Sequence, residues 1–425
     1  MQAPLRSARL VSLVVLWLVM PKTPIARAQA SLEVPDGFAS TTRFSFDANA
    51  APENQVGALA FLPNGDPVVY VAGEVRVHRS SDVVVIATFE PAVFGSFVVV
   101  APDGASLLFG ENSTGHIFSI PLDGTGQQPI DRINFNFDLA IAPKSAGDIA
   151  GFGFVSGLGP NSTNSIWLLD EDPETPNDEI VTNIPRFSGP LTFDSAGRLY
   201  YITSGAQAGD FADVPQEEGE RLVRFTPEQL AAGIGAGALS FWEGQVVLGE
   251  QDSFFNMLWH DGKLYCTNLG FSTGVGTIDV IDLEDDFTAS VFASVRIGDG
   301  SGSPSIVALH PGPEPFEAGR GERGGRLLLA YSNFADVSNV AEIIPELFFR
   351  RGFLNDDEVV NIADASFLLL YLFKGGEDPQ VLEAADINDD GRTDISDALF
   401  VLRYLFRDGP QPPEPFKSAG QDPTP

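Results

Sequence analysis

Ala58-Leu59-Ala60-Phe61-Leu62-Pro63-Asn64-Gly65-Asp66-Pro67-Val68-Val69-Tyr70-Val71-Ala72 is an apolar run, a Pro-Asn-Gly turn and a second apolar run ending in a small residue. The phrase recurs between residues 56 and 349. It returns at Phe97 to Gly110 around Pro102-Asp103-Gly104, around Gly147, at Asp194 to Gly197 ahead of Leu199-Tyr200-Tyr201, and at Asp261-Gly262 ahead of Leu264-Tyr265. The last copy is Ser305 to Ser332, where a Gly/Pro/Glu-rich insertion separates Val307-Ala308-Leu309 from Leu327-Leu328-Leu329. The turn glycines 65, 104, 147, 197, 262 and 325 fall 39, 43, 50, 65 and 63 residues apart. That spacing fits four short strands per unit, with loops growing in the later copies. Six such units bury both faces of every strand only when arranged radially, so a six-bladed β-propeller is expected over residues 31–345 rather than a sandwich.

The "apolar, P-x-G, apolar-Tyr" phrases resemble those of six-bladed propellers of the NHL and gluconolactonase-like type, over roughly three quarters of the chain. The resemblance implies a fold and no activity. Gluconolactonase-like propellers hold a channel metal through Glu, Asn and Asp, a pattern not matched to positions of this chain. A ring must also be closed. The alternating segment Thr42 to Asp47 is placed to supply a strand to the blade ending near Ile343-Ile344. One helix is expected in the ring, with Thr226 as N-cap, Pro227 at its first position, and its end by Gly233.

With 58 acidic against 25 basic residues and a pI near 4.2, the chain carries the wrong field for a phosphate backbone, which excludes nucleic acid as a partner. Cys266 is the single cysteine, so neither an internal disulfide nor a cysteine zinc site is available. Arg6 and Arg9 precede an apolar run from Leu10 to Met20, then Pro21, then the small-x-small pattern Ala28-Gln29-Ala30. This reads as an export signal over residues 1–30, cleaved after Ala30. The run would span only about 16 Å as a helix, too short for a permanent anchor, and no membrane span is expected once the signal is removed. The remainder has 21 basic and 58 acidic groups, a formal charge of −37, which favours cations as partners.

Catalytic patterns in the ring are weak. Gly270-Phe271-Ser272-Thr273-Gly274 matches the hydrolase nucleophile pattern, but a strand-like run, Thr277 to Ile281, follows it where a helix is required. Gly233 to Ala238 imitates a dinucleotide loop yet follows a helix end. His78, His116, His260 and His310 form no pairing motif, and His260 and His310 stand at equivalent turn positions after apolar runs. The acidic stretches Asp170 to Glu174 with Asp178 and Glu179, and Asp282 with Glu284, Asp285 and Asp286, read as solvated faces. Gly205 to Gly219 is long enough to serve as a recognition loop.

From Arg350 the composition changes and a repeat of period 33 appears: Asp364-Ala365-x-Phe367-x-Leu369-x-Tyr371-Leu372-Phe373 returns as Asp397-Ala398-x-Phe400-x-Leu402-x-Tyr404-Leu405-Phe406. Ahead of the second copy lies the twelve-residue loop Asp386 to Asp397. Side-chain oxygens of Asp386, Asn388, Asp390, Asp394 and Asp397 occupy positions 1, 3, 5, 9 and 12, Gly391 position 6, and Arg392 offers its carbonyl at position 7, the arrangement that wraps Ca2+. Alternate residues of a tight loop point inward, and glycine permits the left-handed turn in the middle.

A loop followed by one helix, twice, with aspartate at position 12 and Gly375 to Pro379 barring a long helix ahead of the second loop, resembles a dockerin type I module over about residues 350 to 416. The resemblance implies calcium as the cofactor and a cohesin-like scaffold as the partner. It also implies recognition through loop positions 10 and 11 and the following helix. These are Ile395, Ser396, Leu402, Arg403 and Arg407, with Ile362, Ala363, Leu370 and Lys374 in the first copy. Ile362 and Ile395 have the alternative of being core residues. In the first loop Phe353 stands at position 1 and Glu358 at position 6, so that loop is expected to be weak or empty. Residues 346–416 are read as this module and 417–425 as a Pro-rich tail, with Phe416 able to fold back on Phe348 or Phe349.

The whole reads as a secreted or cell-surface protein: an all-β propeller that binds an extracellular ligand such as a polysaccharide, carried by a small all-α dockerin-like module. The rival readings are a carbohydrate hydrolase, lyase or lactonase tethered by the same module, and a structural protein whose calcium loop staples its own C-terminus.

Overall fold

The computed structural model describes residues 30–47, 56–159, 164–174, 176–184, 188–202, 221–248, 254–268, 275–283, 289–297, 305–312, 325–332, 337–355, 357, 359–379 and 381–422. The expected export segment before residue 30, Gly270 to Gly274, Glu284 to Asp286 and Gly205 to Gly219 lie outside these residues. The described residues divide into two compact units, one holding 30–35, 40–312 and 327–343, the other 36–39, 325–326 and 344–422. Among the described residues no helix is long and apolar enough to cross a membrane.

The first unit is a six-bladed β-propeller. Its six sheets begin with inner strands Ala58–Phe61, Gly95–Val100, Asn134–Ile141, Leu191–Phe193, Phe254–His260 and Ser305–Pro311. Each inner strand contacts the next, and the sixth contacts the first, which closes the ring. All six turn glycines sit between the first and second strands of their blades with positive φ, from 62° at Gly147 to 83° at Gly65.

The inner strand of blade one is apolar throughout because both its faces are buried. Ala58 and Ala60 pack into the cluster between blades one and two, with Val98, Leu107 and Phe109. Leu59 and Phe61 face the other way into the cluster between blades six and one, with Val307, Leu328 and Val340. Each fully buried large side chain contributes about 1.5–3 kcal/mol, so the inter-blade clusters dominate the stability of the ring.

Closure comes from the N-terminal strand Phe38–Asp47, which pairs with Val337–Pro345 on the outer side of blade six, as the alternation of Thr42 to Asp47 predicts. Arg43 Nη2 reaches Oε2 of the buried Glu342 at 2.6 Å. Phe44 lies 3.8 Å from the ring of His78 in blade one. His78 is buried with neither ring nitrogen hydrogen-bonded, and burial holds its imidazole below the ordinary range. A further strand, Ala30–Glu33, adds a fifth member to blade five by pairing with Ala289–Ile297, which the sequence did not foretell.

Helix α1, Pro227–Ala236, starts with the expected Thr226 cap, reinforced by Gln229 reaching back to the Thr226 N–H. It runs past the expected end at Gly233, because Gly233 packs against the Ile180 carbonyl at close range while Gly237, with φ 114°, provides the stop.

Gly197 (φ 79°) lies so close to blade three that a Cβ would sit 2.6 Å from Ala146 Cα, whereas Gly104 (φ 67°) faces open space. Gly197→Ala should therefore cost about 3 kcal/mol and Gly104→Ala about 1 kcal/mol. Equal shifts in thermal midpoint for the two variants would contradict the inter-blade contact.

Candidate functional site

The second unit contains α2, Ile362–Lys374, and α3, Ile395–Phe406, each preceded by its acidic loop. Both helices start with a capping box built from loop residues, Asn361 with Asp364 and Asp394 with Asp397. The repeat holds contact by contact. Asp364 Oδ1 accepts from Leu354 N at 2.8 Å and Oδ2 from Asn361 N at 2.9 Å. Asp397 Oδ1 accepts from Ile387 N at 2.7 Å and Oδ2 from Asp394 N at 2.9 Å. Leu354, Ala365 and Leu368 pack with their counterparts Ile387, Ala398 and Val401 in one core. Burial raises both position-12 carboxyls above the usual range despite their backbone donors.

In the second loop the Asp386 carboxylate accepts from Asp390 N at 3.1 Å and Gly391 N at 2.8 Å. Asn388 Oδ1 also accepts from Asp390 N, and Asp390 Oδ1 from Arg392 N. Gly391 takes φ 79°, the left-handed turn expected at position 6. Asp386, Asn388, Asp390 and Asp397 are thus brought around one turn. Asp394 faces solvent and caps Ser396 N, and its carboxyl is lowered chiefly by the Ser396 hydroxyl. Arg392 is exposed. Among the described residues no three of His, Cys, Asp and Glu gather into a metal cage. The donor set is nevertheless all oxygen on a loop with the required central glycine, which suits a hard divalent cation.

The first loop satisfies itself. Asn355 Nδ2 and Asn361 Nδ2 both donate to Asp357 Oδ2, at 3.1 and 2.7 Å. Phe353, at position 1, lies under the Arg350 guanidinium, 3.5 Å from ring centroid to Cζ, and beside Phe416. Phe416 therefore folds back on Phe353 and Tyr404, rather than on Phe348 or Phe349, while the backbone of Gly420 bridges Phe349.

Arg351 is fully buried and was not singled out in the sequence. Its Nη1 donates to the Asp386 carbonyl at 2.7 Å, and Nη2 reaches Asp389 Oδ1 and Asp422 Oδ1, each at 3.0 Å. One cation thereby ties the second loop to the C-terminal segment.

The expected recognition residues are distributed as follows. Ile395 and Ile362 are 50% and 57% exposed, which overturns the alternative that they belong to the core. Arg403, Arg407, Ala363, Leu370 and Lys374 are exposed, Ser396 is half-buried, and Leu402 is half-buried against the module core. Leu399 and Phe406 are exposed with Ile395 and Arg403 at spacings of 4, 4 and 3 residues, one continuous helical face, and Phe373 repeats Phe406 in α2. Helical periodicity alone could have found them, had both faces of each helix been followed.

In the propeller a cavity of about 480 Å³ is lined by the inner strands of all six blades. His310 lines it rather than serving only as a turn residue, its Nδ1 2.7 Å from the Pro311 carbonyl and its imidazole lowered to about 4 by burial. Asp170 and Asp172 form local turns with their own backbone, in keeping with a solvated acidic face.

Residues 353–406 match the family model of the dockerin type I domain. Among curated proteins no sequence matches the chain. Similar solved structures include the PQQ-bound aldose sugar dehydrogenase of Streptomyces coelicolor, at 15% identity and TM-score 0.45, covering 75% of this chain and 99% of that one. A gluconolactonase of Xanthomonas campestris follows at 14% and 0.43, covering 76% and 99%. A carbohydrate-active enzyme of family AA12 from Trichoderma reesei stands at 11% and 0.48, covering 76% and 100%.

Replacing Arg351 with methionine strips the Asp389 and Asp422 carboxylates of their cation and leaves the Asp386 carbonyl without its donor. The module should lose about 3 kcal/mol while the propeller transition stays in place. Calorimetry of the full chain showing both transitions unmoved would refute this role.

Proposed function

We propose that the loop Asp386 to Asp397 takes up one calcium ion and that the module docks the chain to a cohesin-like scaffold outside the cell. Asp386, Asn388, Asp390 and Asp397 would hold the ion, with the Arg392 carbonyl at position 7 and Asp394 at position 9 directly or through water. When bound, the ion neutralises carboxylates that repel one another in its absence. The single observation that carries the docking surface is the exposure of apolar Ile395 beside Leu399 and Phe406, on the helix that the loop itself caps. An isoleucine half open to solvent at the start of a helix is an anchor awaiting a partner. Ser396, Arg403 and Arg407 supply polar and cationic contacts around it, with Leu402 as support from beneath.

The first loop is read as taking no ion, since Phe353 stands where the second loop has the Asp386 carboxylate, and the Asn355 and Asn361 amides donate to Asp357. Its helix offers Ile362, Leu370 and Phe373 as a second apolar face.

The propeller is the docked body, and we read it as a binding protein. A polysaccharide is the extracellular ligand such a body would meet. A polymer must lie on the surface of the ring, because a 480 Å³ cavity holds one small molecule and no chain.

Titration of the full chain with calcium should find one tight site, lost in the D386A/D397A double variant. A cohesin-bearing scaffold should retain the full chain in calcium and release it in chelator. Two equivalent calcium sites, or retention indifferent to chelator, would refute the reading.

A further inference from the structure

The propeller channel is equipped at one mouth in a way that neither blade packing nor docking requires. Strand ladders slip near the start of four inner strands, between Gly95 and Phe97, Asn134 and Asp138, Phe254 and Asn256, and Ile306 and Ala308. Blades related by rotation run their inner strands in one sense, so these irregularities collect at the same end of the channel. Bulges re-aim side chains and concentrate beside binding sites. In blade three the slip includes Phe135 at φ 48°. Phe137, just after it, meets Phe255 of blade five edge-on, with ring centroids 5.4 Å apart. These strands are not neighbours. Between them lies only the three-residue inner strand of blade four, Leu191–Phe193.

Directly after each of these two phenylalanines comes a hydrogen-bond acceptor. Asp138 lines the cavity and accepts from Leu139 N at 2.9 Å and Leu191 N at 3.0 Å. Among the described residues no cation pairs with it, and no lysine or arginine lines the cavity. Burial in this setting pushes its carboxyl up to about 7. Asn256 Oδ1 is buried without any hydrogen-bond partner, an arrangement that costs free energy until a donor arrives. At the other end His310 carries its proton on Nδ1, because that nitrogen contacts the Pro311 carbonyl, which leaves Nε2 as a further acceptor. The remaining wall is largely apolar and includes Trp259.

A buried acceptor without a donor, an acid without a cation and aromatic walls describe a definite ligand chemistry. An anion would find no cation. A neutral sugar would leave Asp138 without a counter-charge. A metal ion would find Asp138 and an Asp194 already paired with Arg198. A protonated amine on an apolar body satisfies the groups at this mouth: its N–H bonds meet Asp138 and Asn256, and its charge is attracted by aromatic faces and by the strongly acidic chain.

We propose that the propeller channel binds a small organic cation, an ammonium group on an aromatic-sized apolar body, with the nitrogen held by Asp138 and Asn256 and the body against Phe137, Phe255 and Trp259. This site is independent of the docking module and of calcium. Calorimetry on the full chain with benzylammonium, and with benzyl alcohol and benzoate as neutral and anionic counterparts of the same shape, tests it. Benzylammonium should bind one per chain, at least about tenfold more tightly than benzyl alcohol, while benzoate should not bind. D138N and N256L should each weaken benzylammonium about tenfold or more and leave benzyl alcohol unchanged. Should D138N fail to fold, N256L decides. Absence of benzylammonium binding at millimolar concentration, equal affinity for the alcohol, or binding indifferent to both substitutions would overturn the proposal.

Discussion

Everything in the propeller depends on one pairing between the two ends of its sequence: strand Phe38–Asp47 against Val337–Pro345. A ring of blades has no inherent stop, since each inter-blade cluster needs the next blade to cover it. Pairing the first segment with the last blade makes the sixth interface as local as the other five. It also converts an open edge into a paired one. The Arg43–Glu342 ion pair and the Phe44–His78 contact lie on this closing strand, and one of them reaches onward into blade one. The cavity is a product of closure, because inner strands from six blades enclose a common space only when the ring is shut.

The C-terminal module solves a different problem, that of folding two acidic loops with little core. Its twofold repetition is geometric as well as sequential, yet the two loops neutralise their carboxylates by partly different means. The first uses amide donors from Asn355 and Asn361 on Asp357. The second repeats that bond with Asn388 on Asp390 and adds backbone N–H groups on Asp386 and the buried guanidinium of Arg351 on neighbouring Asp389. What separates the two loops is position 1, an aromatic ring at Phe353 and a carboxylate at Asp386.

Much of the fold was legible because it rests on local signals. Positive-φ glycines marked all six inner turns, Thr226 and Pro227 marked a helix start, and a period of 33 residues marked the paired loops and helices. What escaped was nonlocal or irregular. Strand Ala30–Glu33 is too short to declare itself and acquires its conformation from blade five. Phe137 and Asp138 face the channel because of a slipped ladder, which a two-residue alternation cannot represent. His310 reads as a turn residue and nothing in the sequence marks Asn256 until the ring places both around one cavity. Nothing local marks Arg351, whose role arises only from Asp389 and Asp422 converging on it. On α3 the recognition reading named Ile395, while Leu399 and Phe406, which face solvent beside it, went unmarked.

The point at which the chain leaves the propeller also decides how the molecule bears load. Strand Val337–Pro345, from which the second unit departs, is not an edge: it lies between Leu327–Ser332 on one side and Phe38–Asp47 on the other, and Glu346 N prolongs the ladder to the Gly37 carbonyl. Tension applied through the C-terminus along this strand must shear two ladders together, whereas an outermost strand would unzip one bond at a time.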